Sequence, residues 1–150
     1  MKKKLKKIKR IKKFYEQKKN IRMLDLQKAV AERMRRKKRY SLIESRKSEY
    51  LQNIEARLNA EIDLNFLMNL EGGLAFFNES LKRAASRLNE AARAEAAKRT
   101  EAVDASIEHK VWENLYGKHE KRVRRYYDLR EEREIDDLAL LRRMLNERSR

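Results

Sequence analysis

The chain has 150 residues, 43% of them charged and 41% hydrophobic, with 3 Gly, no Pro and no Cys. That composition excludes a thick globular core, a disulfide scaffold, a thiolate site and any apolar run long enough to span a bilayer. The formal net charge of +16 sits in the first quarter, where residues 1–40 hold 19 Lys and Arg against Glu16, Asp25 and Glu32, while 41–150 balance 21 bases with 21 acids.

Lys, Arg, Glu, Ala and Leu are the strongest helix formers, and helix breakers are nearly absent, so very long helices are expected. In chain order, helical spacing begins weakly at Leu5, Ile8, Ile11 and Tyr15, continues at Met23, Leu26 and Val30, and firms up at Ile43, Tyr50, Ile54, Leu58 and Ile62. This predicts a first helix over about 2–65, roughly 100 Å at 1.5 Å per residue. The segment 66–77 contains the only glycine pair, Gly72 and Gly73, and reads as the bend, under an apolar cap of Phe66, Leu67, Met68, Leu70, Leu74, Phe76 and Phe77. A second helix is expected over about 78–147, with Asn78 or Ser80 as its N-cap.

That second helix carries a ladder of four- and three-residue steps: Phe77, Leu81, Ala84, Leu88, Ala91, Glu95, Lys98, Ala102, Ala105, His109, Trp112, Tyr116, His119, Val123 and Tyr126. Eleven of these fifteen are apolar, well above what 41% hydrophobic composition supplies by chance. Ala in the middle permits close helix approach but buries little area, and Glu95 with Lys98 predicts a weak point. The fold class read from this pattern is all-α, a single rod formed by a long antiparallel two-helix coiled-coil hairpin with its reversal near Gly72-Gly73. Residue i then lies beside roughly residue 145 minus i, which sets Lys2–Lys13 against the acidic run Glu131–Asp137 and favours the antiparallel hairpin. Exposed pairs of that kind set register more than stability.

Catalytic, cofactor and metal sites are not expected. There is no nucleophile elbow and no phosphate loop. His109 and His119 are ten residues apart, and His109 with Glu113 supplies only two ligands at helical spacing. The carboxylates of Glu131–Asp137 splay around a helix and read as a solvated or ion-paired face. Three partners suit the basic start: nucleic acid or a ribosome through phosphate neutralisation, a membrane surface through Leu5, Ile8 and Ile11 among lysines, or an acidic protein surface or pore. Trp112, Tyr116, Tyr126 and Tyr127 form an aromatic stripe whose first explanation is seam packing and whose second is binding. The opening has no apolar run of signal-peptide length, so a soluble, cytoplasmic protein is expected.

The closing stretch, Asp128–Met144, holds six acids in its first ten residues and then turns apolar. At 100° per residue Ile135, Leu138, Ala139, Leu140, Leu141, Met144 and Leu145 point in nearly every direction, and a helix apolar all round needs cover on several sides. One neighbouring helix is not enough, which implies a second partner in another molecule.

The basic opening KIKRIKKFYEQKK, the segment SEYLQNIEARL, the restart FFNESLKRAA, the aromatic stretch HKVWENLYGKHEKRVRRYY and the close REEREIDDLALLRR together resemble the FliJ family of flagellar export proteins. The resemblance covers nearly the whole chain, and its closing motif is the most specific part. Injectisome stalk proteins of type III secretion look similar. The resemblance implies a non-enzymatic rod like the central stalk of rotary ATPases. Its two-termini end would insert into the hexameric export ATPase, through Leu5, Ile8, Ile11, Ile135, Leu138, Leu141 and Leu145. The rest would meet the cytoplasmic domain of the membrane export gate, with Tyr50, Phe77, Leu81 and Ala84 matching the family's gate-contacting positions, and export chaperones are further implied partners. Placement at the cytoplasmic face of the inner membrane would follow from these partners. The sequence departs from the family at Leu88, where a polar residue is common, and in its more strongly positive start.

Overall fold

The structure is a computed structural model that describes residues 1–58 and 62–148. Two long helices pack against each other as an all-α hairpin: α1, Lys2–Arg57, and α2, Leu64–Arg148. The reversal lies between Arg57 and Leu64, not near Gly72-Gly73. Both glycines stand inside α2, and no glycine in the described chain has positive φ. The second helix starts where Asp63 accepts a hydrogen bond from the Phe66 amide on its Oδ1 at 2.7 Å, which satisfies one of the unpaired donors of the first turn. Asn78 and Ser80 are therefore mid-helix positions, and Asn78 instead accepts a bond from Lys47 Nζ at 2.8 Å. Residues 59–61 of the expected first helix lie outside the described residues, and Leu58, Ile62 and Asp63 are not helical.

Contacts group the chain into two units, 1–20 with 104–150, and 21–103. In the second of these, the α2 ladder is the buried face from Phe77 through Ala84 and Ala91 to Ala102, and it extends back through Gly73, Leu70 and Phe66. The residues expected to cap a bend thus belong to the seam, while Leu67, Met68 and Phe76 point outward. On α1 the facing positions are Arg22, Leu26, Ala29, Arg36, Tyr40, Ile43, Lys47, Tyr50 and Ile54, in steps of three and four apart from one skipped position at Arg33. Several are long cations whose methylene stems cover apolar surface while their heads reach solvent.

Glu95 does not weaken this unit in the way its charge suggests. Its carboxylate is buried; Arg99 donates to Oε1 at 2.7 Å, and Arg33 crosses from α1 to place Nε 2.5 Å from Oε2 as an ion pair, although Oε2 itself accepts no hydrogen bond. Lys98 bonds Glu101, which also receives Arg22 from α1 at 3.1 Å.

In the unit formed by 1–20 and 104–150, Leu5, Ile8, Lys12, Tyr15 and Lys19 of α1 face Ala105, His109, Trp112, Tyr116, His119 and Val123 of α2. Tyr15 stacks on Trp112 with ring centroids 5.7 Å apart, Lys12 lies over Tyr116 at 5.0 Å, and Lys18 pairs with Glu108 at 2.9 Å. Seam packing thus accounts for Trp112 and Tyr116, whereas Tyr126 is half exposed.

Candidate functional site

Register decides what the terminal end can do. Lys2 Nζ lies 4.8 Å from the ring centre of Tyr127, so α1 begins beside that residue. In the four cross-helix pairs of this unit the two residue numbers add to between 126 and 129, against the 145 expected from a bend at Gly72. Because the reversal comes earlier in the chain, the second helix is the longer arm, 85 residues against 56. Its last stretch, 128–148, continues beyond the start of α1.

The expected pairing of Lys2–Lys13 with Glu131–Asp137 is consequently not formed. Among the described residues the one ion pair of the acidic run is the exposed Arg130–Glu134 contact at 3.0 Å within α2. The basic start instead faces a segment that is itself rich in Lys118, Lys121, Arg122, Arg124 and Arg125. Two basic helices side by side form a collar of concentrated positive charge, and the acidic and apolar helix end projects from it.

All of 124–148 is exposed, including Ile135 at 60%, Leu138 at 61% and Leu141 at 55%. Leu140, Met144 and Leu145 are equally open to solvent. The apolar residues of the start are placed differently: Ile8 is buried and Leu5 half-buried against α2, and only Ile11 of the three is exposed. The seven residues assigned from the sequence to one interface therefore divide into two seam residues, one outward-facing residue beside the collar and four on the projecting helix end.

Tyr50 and Phe77 do meet, with ring centroids 5.3 Å apart, and the Tyr50 hydroxyl donates to the Asn69 carbonyl at 3.2 Å. Leu81 is half-buried, and Ala84, at 7% exposure, is part of the seam and not of an open surface. Two neighbours are more available: Phe76, expected as part of the bend cap, packs edge-on against Phe77 and is 67% exposed, and Leu42 is 51% exposed in the same groove. Phe76 lies one position off the α2 ladder and Leu42 one position off the facing stripe of α1, and both are exposed there.

His109 is buried at its ladder position and its Nε2 has no hydrogen-bond partner, while His119 is half-buried. Among the described residues no group of three or more His, Cys, Asp or Glu gathers as metal ligands, and no helix is long and apolar enough to cross a membrane. The model of the family described as Flagellar FliJ protein matches residues 1–148. No curated protein and no solved structure matches the chain.

Proposed function

The chain belongs to the flagellar FliJ protein family, and from that premise we propose that it couples a hexameric export ATPase to the membrane export gate without catalysing a reaction itself. Family membership makes it a component of the flagellar export apparatus. The projecting end of α2 enters the ATPase ring, Ile135, Leu138, Leu141 and Leu145 meet the ring's inner wall, and the basic collar of Lys2–Lys13 with Lys118–Arg125 meets acidic groups at its mouth. The gate contacts the region of Tyr50, Phe77 and Leu81, with Phe76 and Leu42 as its outer contacts. Export chaperones are further partners, and attachment to the inner membrane is through the gate.

The observation that carries this reading is the solvent exposure of a helix end whose apolar residues point in nearly every direction around it. A helix of that kind needs an enclosing partner, and a ring supplies walls on every side where a single helix cannot. Charge beside the apolar end suits a partner found by electrostatic steering. Co-purification tests it: L138D/L141D should keep its helix content and lose the export ATPase. Unchanged recovery of the ATPase would refute the reading.

A further inference from the structure

Elsewhere in the hairpin cross-helix cations meet a ring face or an oxygen: Lys2 and Lys12 lie over tyrosine rings, and Lys18 meets Glu108, Arg22 meets Glu101, Arg33 meets Glu95 and Lys47 meets Asn78. Between the last two of these pairs the pattern inverts. Arg36 and Arg39 of α1 and Arg83 and Arg87 of α2 line one cleft of about 190 Å³, with Ser80 on its wall and the small, buried Ala84 at its floor. Cation faces cation across the seam, an arrangement that costs stability unless an anion lies between.

The nearby carboxylates hold two of the guanidinium groups without closing the cleft. Glu32 accepts from Arg36 Nε at 2.7 Å, and Glu79 accepts from Arg83 Nε at 3.1 Å. Each contact uses the inner nitrogen and leaves the terminal nitrogens of the fork for another acceptor. Among the described residues Arg39 and Arg87 have no carboxylate within ion-pair distance.

We propose that this cleft is a phosphoryl-binding site, taking either a free phosphate ester or pyrophosphate or the phosphate of an acidic lipid headgroup. Guanidinium forks match tetrahedral phosphate by paired hydrogen bonds, and a hydroxyl adds a further donor. None of the cleft residues is among those assigned to the ATPase contact, so the site is independent of the ATPase reading.

Pyrophosphate binding to the full chain by titration calorimetry, at constant ionic strength, tests the proposal. Saturable binding is expected, weakened at least about tenfold in R39Q/R87Q, because each charge-assisted bond lost is worth a factor of that order. The equally discharged K3Q/K7Q, outside the cleft, should bind as the parent does. R39K/R87K keeps the charge and loses the forks, so it should also weaken binding and serves if the glutamine variant fails to fold. Sedimentation with phosphatidylglycerol and with phosphatidylcholine vesicles separates the sources. Loss of acidic-vesicle binding confined to the cleft variants assigns the lipid headgroup, and loss confined to pyrophosphate assigns the free phosphate. Equal weakening in K3Q/K7Q and R39Q/R87Q, or saturable binding to neither pyrophosphate nor acidic vesicles, would overturn the site.

Discussion

The ring of Tyr50 lies directly against the backbone of Gly73: a Cβ at that glycine would come within 2.1 Å of the Tyr50 hydroxyl oxygen and 2.5 Å of Cζ. Gly73 is thus a helical residue chosen for close approach, not for a turn. Gly72, next to it, has open space around its α-carbon. Gly73→Ala should destabilise the hairpin, since overpacking of about 1–3 kcal/mol exceeds the helix-propensity gain of about 1 kcal/mol. Gly72→Ala should stabilise by about 0.5–1 kcal/mol. Urea unfolding followed by circular dichroism separates the two; destabilisation by both would restore the reversal to Gly72-Gly73.

The start of α2 rests on one side chain. Asp63→Ala removes the acceptor of the Phe66 amide and should cost about 1 kcal/mol, whereas Asp63→Asn keeps an oxygen there and should change little. Thermal unfolding of both variants checks this, and equal effects would show that the carboxylate is not acting as a cap.

Arg33 and Glu95 are unequal partners. The Glu95 side chain is 7% exposed and that of Arg33 45%. Arg33→Ala strands a carboxylate in the seam with Arg99 alone and should cost about 1 kcal/mol, the low end for a buried charged group because the site opens to solvent on the arginine side. Glu95→Leu instead replaces the buried carboxylate with a seam residue and should be neutral or stabilising. A reversed order in urea midpoints would contradict this.

His109→Leu should raise stability by about 1 kcal/mol, because it removes a buried ring nitrogen with no partner from beside Ala105 and Trp112 in the seam. Calorimetric unfolding would show the gain; a loss would mean that Nε2 has a solvent partner worth keeping.

The ladder from Phe77 to Val123 was legible because each of its residues sits on one strict helical stripe, and even Glu95 and His109 are buried on it. The facing stripe on α1 was only half legible. Lys12, Lys19, Arg22, Arg36 and Lys47 occupy seam positions through their stems, so hydrophobicity shifted attention to the exposed Ile11 and Met23. The reversal was not legible because 58–63 holds neither Gly nor Pro, and its turn-favouring residues are only Asn59 and the capping Asp63. That single displacement moved the register and removed the lysine partners expected for Glu131–Asp137. It left Leu138 and Leu141 exposed, as the apolar pattern of the closing stretch required.

The most direct measurement is the affinity of the hexameric export ATPase for the full chain beside L138D/L141D, with helix content recorded on the same samples. Each leucine is more than half exposed, so unchanged helicity is expected, with binding weakened by at least about a hundredfold for two buried apolar anchors. Equal affinity of the two proteins would contradict insertion of the α2 end into the ring.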